Sequence, residues 1–209
     1  IAFGYRGWGV AFSSPLLSSY LARVFDDDCR ADRKDVMDWG LDPRNDPLAS
    51  LPCPERPERA VFAPLPVVSV EDSRVALLVS PDLSRSEPYL CGLVRDSSSI
   101  IAEQFQADAL WESRWTGAAS SSPLITAIGD AVRVGGTADV LLDSSWYNTE
   151  RNSAAAASLS AVGADARLMA DASPVTALHN KGLVLDSGCT IVSRNNWVCA
   201  SYARNRELA

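Results

Sequence analysis

The stretch His179-Asn180-Lys181-Gly182-Leu183-Val184-Leu185-Asp186 decides how this chain is read. It holds the single histidine of the 209 residues and, two positions on, one of only two lysines. A side chain that titrates near neutrality and a strong point charge stand together ahead of an apolar run. Leu183, Val184 and Leu185 are apolar and Ser187-Gly188 follow as a turn signal, which predicts a short buried strand over 178–186. Residues 189–198 read as a second strand. A tight Ser187-Gly188 turn pairs Asp186 with Cys189, sets His179 opposite Asn196 and sets Lys181 opposite Arg194. Because strand side chains alternate, these four are expected on one face.

Two cations facing one another across a hairpin destabilise it by roughly 0.2–1 kcal/mol. The arrangement makes sense where an anion sits between them. A lone histidine in an apolar strand is usually a satisfied core residue; the neighbourhood of Lys181, Arg194 and Asn196 shifts the balance toward a site. Asp186 lies an odd number of positions from His179, so it is expected to point elsewhere and to support the hairpin.

The pattern H-x-K-x4-D over His179, Lys181 and Asp186 resembles the signature of the phospholipase D superfamily. That family follows it with a G-S-x-N element, matched here by Ser193-Arg194-Asn195-Asn196. The asparagine is kept, the glycine is replaced by Ser193 and the phosphate-holding serine by Arg194, which can bind phosphate by its own geometry. Arg204-Asn205-Arg206-Glu207 looks like the family's terminal N-x-E element, with Glu207 matching the carboxylate that hydrogen-bonds the catalytic imidazole. Ser80-Pro81-Asp82 after a strand Val75–Val79, a strand near Ser99–Phe105, and Val140–Tyr147 are similar to earlier elements of the fold.

The resemblance implies an α/β fold (α+β in some schemes), a mixed β-sheet flanked by helices on both faces. Ser122-Pro123 is predicted to open an amphipathic helix with Leu124, Ile125, Ile128, Ala131 and Val132 on one side. Ala154 to Ala157 reads as a small-residue helix. Residues 67–209 are expected to form one repeat carrying the motif. Residues 1–30 resemble the last strand and helix of a preceding repeat, with Trp8–Phe12 as the strand and Ser14-Pro15 opening a helix that carries Leu17, Tyr20, Leu21, Val24 and Phe25. Residues 31–66 hold seven of the twelve prolines and read as a linker. A chain beginning at Ile1 is expected to be a fragment or a processed form.

The net charge is −7, with 17 arginines and two lysines. Such an acidic balance argues against a protein that grips long nucleic acid, since phosphate contacts dominate that affinity. A locally basic site of Lys181, Arg194, Arg204 and Arg206 can override it. The five cysteines, Cys29, Cys53, Cys91, Cys189 and Cys199, show no C-x-x-C spacing, and no second histidine is present, so no metal site and no cofactor are expected. Cys189 and Cys199 read as buried small hydrophobes. The acidic run Asp26-Asp27-Asp28 closes a helix and reads as solvated. No apolar run reaches the ~20 residues that span a bilayer.

These readings converge on a phosphodiesterase that hydrolyses or transfers a phosphodiester through a phosphohistidine. A neutral imidazole, with a reference pKa of about 6.5, is an available nucleophile. Lys181, Arg194 and Asn196 are expected to hold the phosphate oxygens, and Glu207 to fix the imidazole. Phospholipid is the expected substrate. Alternatives are a DNA endonuclease of the same family and a non-catalytic scaffold repeat. The resemblance also implies a second motif of the same kind, from an upstream repeat or a homodimer partner, whose histidine protonates the leaving group.

Overall fold

The computed structural model describes residues 5–6, 9–11, 13–30, 71, 73–81, 86–112, 117–169, 177–205 and 207–209. The chain divides into two compact units, Ile1–Val10 with Val68–Ala209, and Ala11–Val67. The proline-rich stretch 31–66, Cys53, Arg206, and Trp8 and Phe12 of the expected first strand lie outside the described residues; residues 9–11 of that expected strand form none.

In the second unit, helix α1 spans Pro15–Asp28. Ser14 is its N-cap, with the hydroxyl accepting from the Leu17 amide at 3.3 Å, and Pro15 occupies a first-turn position where its missing N–H costs nothing. The helix ends on the acidic run, as the sequence implies.

The first unit begins with strand β1 (Tyr5–Arg6) and resumes with β2 (Val79–Ser80), α2 (Ser86–Arg95) and β3 (Ser99–Gln104). It continues with β4 (Leu110–Glu112), β5 (Ala119–Ser121), α3 (Pro123–Arg133), β6 (Thr137–Leu142), α4 (Thr149–Ala161) and β7 (Asp165–Leu168). The last elements are β8 (Ala177–Leu178), β9 (Lys181–Leu185), β10 (Cys189–Val192), α5 (Cys199–Ala203) and β11 (Glu207–Leu208). The main sheet has five strands in the order β10-β9-β3-β6-β7. It is mixed: β3, β6 and β7 run parallel, joined by α3 and α4, while β9 is antiparallel to both β3 and β10.

Alternation explains which face of the sheet is dry. Ile100 and Ala102 of β3, Val140 and Leu142 of β6, and Leu183 and Leu185 of β9 share one core with Leu90 and Val94 of α2, Leu124 and Ile128 of α3, and Leu159 of α4. Each fully buried aliphatic side chain there contributes roughly 1.5–3 kcal/mol. On the opposite face Ile101 stays half exposed. Helix α3 carries the apolar stripe predicted for it. Gly135, at φ 102°, turns the chain from α3 toward β6. Beside it, a Cβ on Gly136 would sit 2.9 Å from the Ala131 carbonyl oxygen.

Several strands are shorter than expected. Residues 73–78 form no strand, although Leu78 exchanges backbone hydrogen bonds with Ala209, leaving only β2 of the expected Val75–Val79. Strand β6 stops at Leu142, where Asp143 turns its carboxylate inward. Strand β10 stops at Val192, and β9 starts only at Lys181. His179 and Asn180 fall in a break, because Ala177–Leu178 leaves the main sheet to pair in parallel with β1. Cys189 is exposed, because the short β10 lies at the sheet edge, whereas Cys199, opening α5, is half-buried and packs against the core.

The hairpin register differs by one residue from the predicted one. Cys189 pairs with Leu185 and Val192 with Gly182, so the loop is Asp186-Ser187-Gly188. Asp186 and Ser187 both take positive φ (51° and 56°), and the Gly188 amide closes onto the Leu185 carbonyl at 3.1 Å. The cause is Asp186 itself. One carboxylate oxygen accepts the backbone amides of Ser98 and Ser99, each at 2.8 Å, and the Asp186 amide donates to the Ser99 carbonyl. This clamp fastens the residue to the start of β3, and aspartate tolerates the left-handed conformation that results. A one-residue shift moves every cross-strand partner. The Lys181 carbonyl therefore accepts from the Ser193 amide at 2.8 Å, and Arg194 is no longer opposite Lys181.

Asp186→Ala is expected to destabilise the fold by about 2 kcal/mol, from two charge-assisted hydrogen bonds. Asp186→Asn keeps an acceptor and tolerates positive φ, so it should lose less. Urea midpoints of the two variants provide the check; an alanine variant as stable as the natural chain would rule out the clamp.

Candidate active site

His179 follows β8 directly and Lys181 opens β9, so the two side chains meet across the break between the strands. The Lys181 Nζ lies 3.4 Å from His179 Nδ1 and donates to the His179 carbonyl at 3.0 Å. Phe105, just past β3, closes the other side. Its ring centroid is 4.5 Å from that of the imidazole and 4.8 Å from the Lys181 ammonium. The ring thus holds a cation against its face. Lys181 is buried while His179 is exposed. The Asn180 side chain between them donates to the Glu103 carboxylate.

Burial and charge act together on these groups. The His179 pKa is lowered from its ordinary value, first by partial burial, then by Lys181 and Arg194, with Asp143 opposing. The Lys181 pKa is lowered too, by burial and then Arg194, with Glu207 and Asp143 opposing. Arg194, exposed and bonded through its backbone amide to the Leu208 carbonyl, is therefore within electrostatic reach of both despite the altered register. The result is a neutral imidazole beside two cations, a setting prepared for an anion.

Glu207 sits on β11, paired with Ser80 of β2, and its carboxylate accepts from Asn205 at 2.9 Å. Asn196 lies beyond the end of β10 and lines a cleft of about 530 Å³ with Gln106, Trp111, Arg151 and Arg204. Its side-chain oxygen is buried, with no hydrogen-bond partner among the described residues. Asn195, not Asn196, is the structural one of the pair: its amide nitrogen donates to Ser80 Oγ and to the Ser201 carbonyl, both at 3.1 Å.

Sequence reasoning passed over Phe105, Asp143, Asn148 and Asn152. The last three are wholly buried polar side chains joined to the turn after β3. A signal was present: an aspartate closing the apolar run Val140-Leu141-Leu142 is costly to bury unless several donors meet it. Trp146 and Tyr147 follow in the same loop. Tyr147 packs on Phe105 at 5.8 Å and Trp146 on Tyr147 at 5.5 Å, with Trp146 89 % exposed. Among the described residues no group of three His, Cys, Asp or Glu side chains is placed to hold a metal ion, and no helix is long and apolar enough to cross a membrane.

No family model matches the chain, and no curated protein does. Solved structures do. The chain is similar to Nuc from Salmonella typhimurium, a phospholipase D family member, at 17 % identity and a TM-score of 0.49, over 64 % of this chain and 78 % of that one. It is similar to NucT from Helicobacter pylori at 12 % identity and a TM-score of 0.46, over 64 % and 80 %. It is also similar to polyphosphate kinase from Porphyromonas gingivalis, at 17 % identity and a TM-score of 0.43, over 76 % of this chain and 26 % of that chain.

Proposed function

We propose that this protein cleaves phosphodiesters, or transfers their phosphoryl group, through a covalent phosphohistidine at His179. The observation that carries the reading is the His179–Lys181 contact within reach of Arg194: a neutral nucleophile held among cations. In the first step an imidazole nitrogen bonds to phosphorus and the bond to the leaving oxygen breaks. The leaving oxygen takes a proton from a second histidine, contributed by another copy of the motif. Water or an alcohol then attacks phosphorus, giving its proton to the second histidine, now neutral; the N–P bond breaks and the imidazole is regenerated. Lys181 and Arg194 hold the non-bridging oxygens and stabilise the charge of the transition state. Glu207 favours the charged form of Lys181 and so keeps the ammonium that meets the phosphate.

Phospholipid is the substrate we favour, and the exposed Trp146–Tyr147 pair beside Phe105 gives the mouth of the site an apolar lip suited to it. Assays on phospholipid vesicles and on DNA, each with and without EDTA, test the reading. Turnover of lipid unaffected by chelation is the expected result. Cleavage of DNA alone would favour the endonuclease, and a rate abolished by EDTA would replace the mechanism with a metal-dependent one.

A built anion site also predicts stabilisation by binding to the native state. Thermal melts in phosphate should lie above those in chloride at matched ionic strength, and Arg194→Ser should narrow the gap while leaving the fold intact. Identical melting temperatures in the two salts would mean that the cations hold no anion.

A further inference from the structure

We infer that Asp143 is a positioning residue for His179: a wholly buried carboxylate that ties down the backbone bearing the histidine and supplies the negative charge facing it from inside the fold. One Asp143 oxygen accepts the backbone amide of Leu178, the residue before His179, at 2.8 Å. The other accepts from Asn148 Nδ2 at 3.0 Å, from the Ser145 amide at 3.1 Å and from the Ser145 hydroxyl. A buried carboxylate with this many donors is compensated and held in one orientation.

The same network reaches the opposite side of the imidazole. Asn148 and Asn152 both donate to the Phe105 carbonyl, at 3.1 and 2.9 Å, and Asn152 also donates to the Asp143 carbonyl at 2.7 Å. The Asn152 oxygen accepts the Ala107 amide at 2.9 Å. Asp143 at the end of β6 and the two asparagines around the start of α4 therefore fix the loop carrying Phe105 as well as the segment carrying His179. The Phe105 and His179 rings, in contact at a tilt of 54°, are held from one hub.

Charge gives the hub a second consequence. Among the described residues, Lys181 and Arg194 disfavour protonation of His179 and Asp143 favours it, while Glu207 acts on the neighbouring Lys181. In the proposed reaction the charges of Lys181 and Arg194 are offset when phosphate binds. Asp143, sealed inside, keeps its influence throughout and stabilises the positive ring that forms when phosphorus is attached.

The inference rests on the catalytic reading of His179, but its test does not need turnover. The chain has one histidine, so the imidazole gives a single set of proton signals to titrate by NMR. Asp143→Asn should move the midpoint to lower pH. Asn152→Ser, which loses hydrogen bonds and keeps the carboxylate, should leave it near that of the natural chain. A midpoint unmoved by Asp143→Asn, or moved equally by Asn152→Ser, overturns the inference. Should Asp143→Asn not fold, the natural chain decides: the Asp143 13Cγ signal must report a carboxylate across the His179 titration, and a protonated acid there overturns the charge role. Activity surviving in His179→Ala alongside a shifted titration in Asp143→Asn would remove the catalytic reading and leave the positioning intact.

Discussion

His179→Ala abolishes phosphodiester turnover, with a loss on the order of 10⁴-fold or more, because the atom that bonds to phosphorus is gone and the remaining cations only bind. The ring is exposed and leaves no core cavity, so the variant should melt with the natural chain. Brief incubation with a labelled phosphodiester, quenched without acid, should trap label on the natural protein and none on the variant. The pH profile adds a second check. Partial burial, Lys181 and Arg194 lower the imidazole pKa, so the reactive neutral form persists below the ordinary histidine value of 6.5. The rate should hold as pH falls through 6.5 and decline only under more acid conditions. Measurable turnover in His179→Ala would falsify the phosphohistidine mechanism.

Lys181→Met lowers kcat by about 10²–10³-fold, the loss typical of one donor aimed at transition-state charge. Methionine keeps most of the apolar stem packed beneath Phe105, which makes it a cleaner probe than alanine. Removing the ammonium also removes a charge that disfavours imidazole protonation, so the acid limb should move to higher pH. The Asp143→Asn titration should move the opposite way. These contrary shifts separate an electrostatic pair acting on one ring from general disruption of the site. A variant that changes KM alone, with the limb in place, would make Lys181 a binding group without a role in the chemical step.

The residues of the proposed site were named from the chain. The spacing of His179, Lys181 and Asp186, with Arg194, Asn196 and Glu207 downstream, is local information. So were α3, marked by Ser122-Pro123 and its apolar stripe, and α1, marked by Ser14-Pro15. Apolar period and cap residues act over a few residues, and the sequence states them directly.

The register of the hairpin was not legible, because the two-residue turn read from Ser187-Gly188 competes with a contact the sequence does not display. Asp186 bonds Ser98 and Ser99, some 87 residues away in the chain, and that clamp decides which residues form the loop. The same distance hid the hub. Asp143, Asn148 and Asn152 are ordinary loop and helix-start residues until β3, β6 and β8 are brought together, when their donors and acceptors find Phe105, Ala107 and Leu178. The sequence alone determined which side chains carry the proposed chemistry. Only the tertiary structure decided how they are held, since a buried polar group finds its partners across the fold and those partners are set by packing rather than by neighbours along the chain.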